Sequence, residues 1–68
     1  MDISAEQLAA LQKLPLAYDT PEEPTGLYVE MESLGLVRID REEETNKALL
    51  IVRTDLGSQV MRRHGLQD

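Results

Sequence analysis

The run Ala48-Leu49-Leu50-Ile51-Val52 is apolar at every position, and the residues on either side of it leave few ways for the chain to fold. Upstream, Leu34-Gly35-Leu36-Val37 reads as the end of a helix, a glycine cap and the entry to a strand. Val37 and Ile39 alternate with Arg38 and Asp40, and Glu42 to Asn46 supply a polar turn. Downstream, Thr54 is placed to cap a helix over 55–64, which buries Leu56 and Val60, admits a close backbone approach at Gly57 and stops at Gly65. The order is therefore helix, hairpin over 36–53, and helix. In the return strand Ala48, Leu50 and Val52 alternate with Leu49 and Ile51, so both faces call for cover. Either the first helix of the chain supplies it or a second copy of the chain does.

A chain of 68 residues forms one domain, 1–68, near the size at which one core is barely sufficient. It has no Phe, Trp or Cys, so aliphatic side chains, three methionines and two tyrosines must fill that core without a disulfide. Ser4 followed by Gln7 is a capping box, and Ile3 is placed to staple onto Leu8. The first helix, over 4–14, turns Leu8, Leu11 and Leu14 inward and Gln7, Gln12 and Lys13 to water. Three prolines mark 15–24 as an irregular connector holding at most the turn begun by Thr20-Pro21-Glu22-Glu23. A second helix over 24–34 has Leu27, Tyr28, Met31 and Leu34 as its apolar stripe. Thr25, Gly26, Val29, Glu32 and Ser33 lie outside, with Glu30 on the flank. Nothing approaches the ~20 apolar residues of a membrane span, and Met1-Asp2-Ile3-Ser4 lacks the character of a signal peptide. A soluble, cytoplasmic protein is expected.

Residues 34 to 57 resemble the end of the recognition helix, the wing and the following helix of winged helix-turn-helix regulators of the multiple-antibiotic-resistance type. The similarity rests on Leu34-Gly35-Leu36-Val37-Arg38, on Ala48 to Val52, and on Thr54 with Gly57 where that family commonly has Leu-Thr-x-x-Gly. It implies an α+β, winged-helix-like domain: three helices packed with a two-stranded antiparallel hairpin. It also implies DNA binding as a homodimer, with Thr25 and Ser33 toward the major groove and Arg38, Arg41, Lys47 and Arg53 toward phosphates. The chain departs from the pattern at the wing, where Thr45-Asn46-Lys47 stands in place of an Asp-x-Arg element, and upstream, where the proline-rich connector replaces a helix.

Charge points elsewhere. The net charge is −6, and residues 1–36 hold seven acids against the single Lys13. Nucleic-acid affinity comes from Lys and Arg neutralising phosphates, whereas Glu32 lies on the outer face of the presumed recognition helix and Glu42-Glu43-Glu44 at the wing tip. The expected role is non-catalytic regulation or adaptation by contact with another protein of basic surface, through Val29, Glu30 and Glu32 on the second helix and Leu49 and Ile51 on the return strand. DNA-binding transcriptional regulation is the alternative. No enzyme, cofactor or metal site is expected: Ser4 and Ser58 belong to helix starts, and there is no Cys nucleophile. His64, the only histidine, sits in a helix last turn where a cation suits the dipole.

Overall fold

A computed structural model describes residues 3–66. The elements are α1 (Ala5–Gln12), β1 (Leu16–Glu22), α2 (Gly26–Ser33), β2 (Val37–Arg41), β3 (Ala48–Arg53) and α3 (Asp55–Arg63). The strands form one antiparallel sheet in the order β1-β3-β2. The molecule is a small α+β domain, and its sheet has three strands where two were expected.

The third strand comes from the segment read as an irregular connector. In β1, Leu16 and Tyr18 turn partly inward while Ala17 and Asp19 stay exposed, a period of two that the neighbouring prolines disguised. Pro21 is tolerated because β1 is an edge strand and bows away from its neighbour. Four β1 residues lie between the pairs Ala17–Leu50 and Glu22–Ala48, against the single residue Leu49 on β3. Thr20-Pro21-Glu22 is thus the end of this strand, and no helical turn starts there.

The apolar character of β3 follows from its central place. Its register with β2 slips by one residue, so that Asp40 faces Leu50 while Arg41 faces Ala48. Leu49 is the extra residue of this bulge, and beyond it the inward and outward sets exchange. Ala48 and Ile51 enter the core; Leu50 and Val52 turn to the other face and are half-buried. The core joins Val37, Ile39, Ala48 and Ile51 of the sheet to Ala10, Leu11 and Leu14, to Tyr28 and Met31, and to Leu36, Val60 and Met61. All three helices therefore cover one face of the sheet, and α1 does not cross to the other.

Local signals explain the helix ends. Ser4 Oγ accepts the Gln7 N–H at 3.1 Å while Gln7 Oε1 accepts the Ser4 N–H at 3.0 Å. That reciprocal bond pulls Gln7 inward, where it is buried, instead of out to water as its helical position suggested. Gly35, at φ 81°, ends α2 and lets the Leu36 N–H return to the Met31 carbonyl at 3.0 Å. Leu36 is buried by this turn, and Leu34 is left 37% exposed instead of joining the core stripe. Asn46, at φ 57°, takes the left-handed position of the hairpin loop, which Glu42 and Lys47 close by a 2.9 Å backbone bond.

The junction of the two halves is a close backbone contact. The Leu36 carbonyl accepts the Thr54 N–H at 3.1 Å, Thr54 Oγ1 donates to the Gly35 carbonyl at 2.6 Å, and the same oxygen accepts the Gly57 N–H at 3.1 Å. A Cβ on Gly57 would stand 2.2 Å from the Leu36 oxygen, a backbone atom that cannot swing aside. Gly57→Ala is expected to cost about 2–4 kcal/mol in urea unfolding, because either helix or strand must shift. Gly26→Ala, where a Cβ meets nothing within 4 Å, should fall within about 1 kcal/mol of the parent.

Candidate interaction surfaces

The hairpin cations that could meet a phosphate are mostly used inside the molecule. Arg53 reaches from the end of β3 to the last turn of α1, where its Nη1 donates to the Leu11 and Leu14 carbonyls, both at 2.8 Å. Those carbonyls end a helix with no basic residue in its last turn, so Arg53 supplies the missing cation from 39 and 42 residues away.

Arg41 and Glu32 form a two-pronged pair at 2.7 and 3.0 Å, tying α2 to the outer end of β2. Hydrogen bonding from Arg41 holds the Glu32 carboxyl below its ordinary range, against partial desolvation, and the same bond raises Arg41. One expected protein contact and one expected phosphate contact thus neutralise each other. Arg38 lies 3.4 Å from Asp40 on the same strand, both well exposed.

Lys47 is exposed in the turn, and its ammonium has no carboxylate or carbonyl partner among the described residues. Thr25 and Ser33 are exposed at opposite ends of α2, and Thr25 makes no side-chain capping bond.

Of the residues expected to meet a protein, Val29 is 43% and Leu49 37% exposed, and Glu30 is exposed beside the Gln7 amide at 3.5 Å. Ile51 is completely buried: the bulge at Leu49 reverses the alternation and sends it into the core, so it offers no contact surface. Leu49 instead lines an open depression of about 520 Å³ with Arg41, Glu42, Glu43 and Glu44. Val29 and Glu32 are one helical turn apart, so a strip of surface runs from Val29 over the Glu32–Arg41 pair to Leu49 and the acidic turn.

The Gln7–Glu30 and Glu32–Arg41 contacts link residues far apart in sequence, and no local pattern announces them. Near β1, burial raises the Tyr18 phenol above its usual value, with Tyr28 and Glu22 adding to the effect.

His64 is the exposed C-cap residue of α3. Among the described residues no group of His, Cys, Asp or Glu is arranged to hold a metal ion, and no helix is long and apolar enough to cross a membrane. Comparison with protein-family models, curated proteins and solved structures finds no match.

Arg53→Met should destabilise the fold by about 2 kcal/mol, since two carbonyls lose a charged donor, while Lys47→Met should change stability by less than about 0.5 kcal/mol. Because the Glu32 carboxyl is lowered in the folded chain, its pairing stabilises above the unfolded glutamate value and is lost as pH falls through the folded one. Glu32→Gln should therefore lower the melting temperature at neutral pH and narrow the gap from the parent as the pH is taken below ~4. A gap independent of pH would show that the charge of Glu32 plays no part.

Proposed function

We propose that this chain is a pared-down winged helix acting as a non-catalytic regulatory or adaptor module, which binds a basic surface of another protein through the strip from Val29 and Glu30 to Leu49 and Glu42-Glu43-Glu44. The order α2, β2, β3, α3, with Gly35 capping α2 and Thr54 capping α3, supports the winged-helix part of this reading. Compared with the regulators it resembles, the chain has a strand and a short loop between α1 and α2 and no further helix there.

The observation that carries the functional part is the use of the cations. Arg53 serves carbonyls of α1, Arg41 serves Glu32 and Arg38 stands beside Asp40, so of the four hairpin cations Lys47 alone is uncommitted among the described residues, while the tip carries three carboxylates. Binding a DNA backbone depends on freely placed Lys and Arg releasing counterions, and an acidic tip opposes it. The same tip, set around a partly exposed Leu49, suits a cationic surface with an aliphatic centre.

Titration of the isotope-labelled chain, followed by backbone amide shifts, separates the two partners. A short mixed-sequence DNA duplex at low salt should leave the spectrum unchanged. A cationic peptide alternating Arg and Leu should shift the amides of Val29, Glu30, Glu43 and Leu49, and Glu43→Lys should weaken that binding at least several-fold. Micromolar binding of the duplex that falls steeply between ~50 and ~200 mM salt would overturn the reading in favour of a DNA-binding regulator.

A further inference from the structure

The face of the sheet turned away from the helices is built from cross-strand partners. Ala17, Leu50 and Asp40 form one row and Val52 with Arg38 the next, since residues directly opposite in a ladder point to the same side. Leu50 and Val52 are half-buried, Ala17 is exposed, and none of the three belongs to the core cluster. In a chain of net charge −6, this face carries Arg38, Asp40 and, by the alternation of β1, Asp19. It is only weakly acidic and apolar at its centre, and a cationic partner has less to gain there than at the turn of Glu42, Glu43 and Glu44.

We infer that this face pairs with the same face of a second copy of the chain. The argument is charge complementarity under two-fold symmetry. Arg38 and Asp40 lie two residues apart on one edge of the face, with side chains 67% and 45% exposed. When two copies stack sheet on sheet with their β2 strands antiparallel, Arg38 of each copy comes opposite Asp40 of the other, and Leu50 and Val52 meet across the axis.

The pattern suits a second copy because a two-fold contact needs a patch complementary to itself, and Arg38 with Asp40 supplies one. The helices are on the opposite face and do not obstruct the approach. Three strands by five residues cover only roughly 250 Å², well below the ~800 Å² per partner of a stable complex. The dimer is accordingly weak and forms with rising concentration. This inference is independent of the basic-partner reading, which uses the wing and α2.

Sedimentation equilibrium of the full chain, from low-micromolar to millimolar concentration, tests it. The average mass should climb from 7.7 kDa toward twice that value. Arg38→Glu alone and Asp40→Arg alone should each hold the chain at monomer mass, since each puts like charges opposite one another. An equimolar mixture of the two variants should regain association, because the pair of carboxylates on one variant then faces the pair of guanidinium groups on the other. Both positions are on the exposed face, and circular dichroism verifies that each variant is folded. A parent that stays monomeric at millimolar concentration, single variants that associate as the parent does, or a mixture no better than its components would each overturn the proposal.

Discussion

The fold depends on a backbone held against a backbone. Gly57, in the first turn of α3, packs against the Leu36 carbonyl with no room for a side chain, and that carbonyl also receives the Thr54 N–H. Thr54 is the hinge of the arrangement: its hydroxyl donates to Gly35 and accepts from Gly57, so one side chain closes the end of α2 and opens α3. With the start of β2 and the end of β3 fixed in this way, the hairpin has one direction in which to project. The buried Leu36, Met61 and Val60 then fill the space beneath it. A core in which Tyr28 is the one buried aromatic ring among the described residues relies on such close approaches, because aliphatic side chains leave less area to bury per residue.

Around this junction the charges turn inward to hold the small domain together. Arg53 ends α1 from the far side of the core, and Arg41 fastens the outer part of β2 to α2 through Glu32. Both contacts take groups that a nucleic-acid reader would show to solvent and use them to join elements distant in sequence. What remains at the surface is acidity at the β2–β3 turn and a weakly charged, partly apolar sheet face away from the helices. The two surfaces differ in chemistry, so the two proposed contacts, with a basic partner and with a second copy of the chain, use different parts of the molecule.

How much of this was legible in the sequence follows from the range of each interaction. Ser4 with Gln7, Gly35 with Leu36, and Thr54 with Gly57 act within a few residues, and the helix ends they predict are those observed. The strand β1 was hidden because Pro15, Pro21 and Pro24 mask a short alternation, and because an edge strand that bows out has little pattern to show. A one-residue slip at Leu49, which no local composition announces, turns Ile51 to the face opposite the one strict alternation predicts. The roles of Arg53, Arg41 and Gln7 lie in contacts spanning 9 to 42 residues and appear only when the elements are packed. The acidic turn at Glu42-Glu43-Glu44, by contrast, stands where its composition placed it.

Native-state hydrogen exchange tests the central junction most directly. If the Leu36, Thr54 and Gly57 contact organises the domain, the amides of Thr54 and Gly57 exchange only through global unfolding, with protection that matches the free energy from denaturant titration. The turn amides of Glu43 and Glu44 then exchange far faster. Protection at Thr54 and Gly57 no greater than that of the turn would contradict the account, because the two halves of the chain would then separate without unfolding the rest.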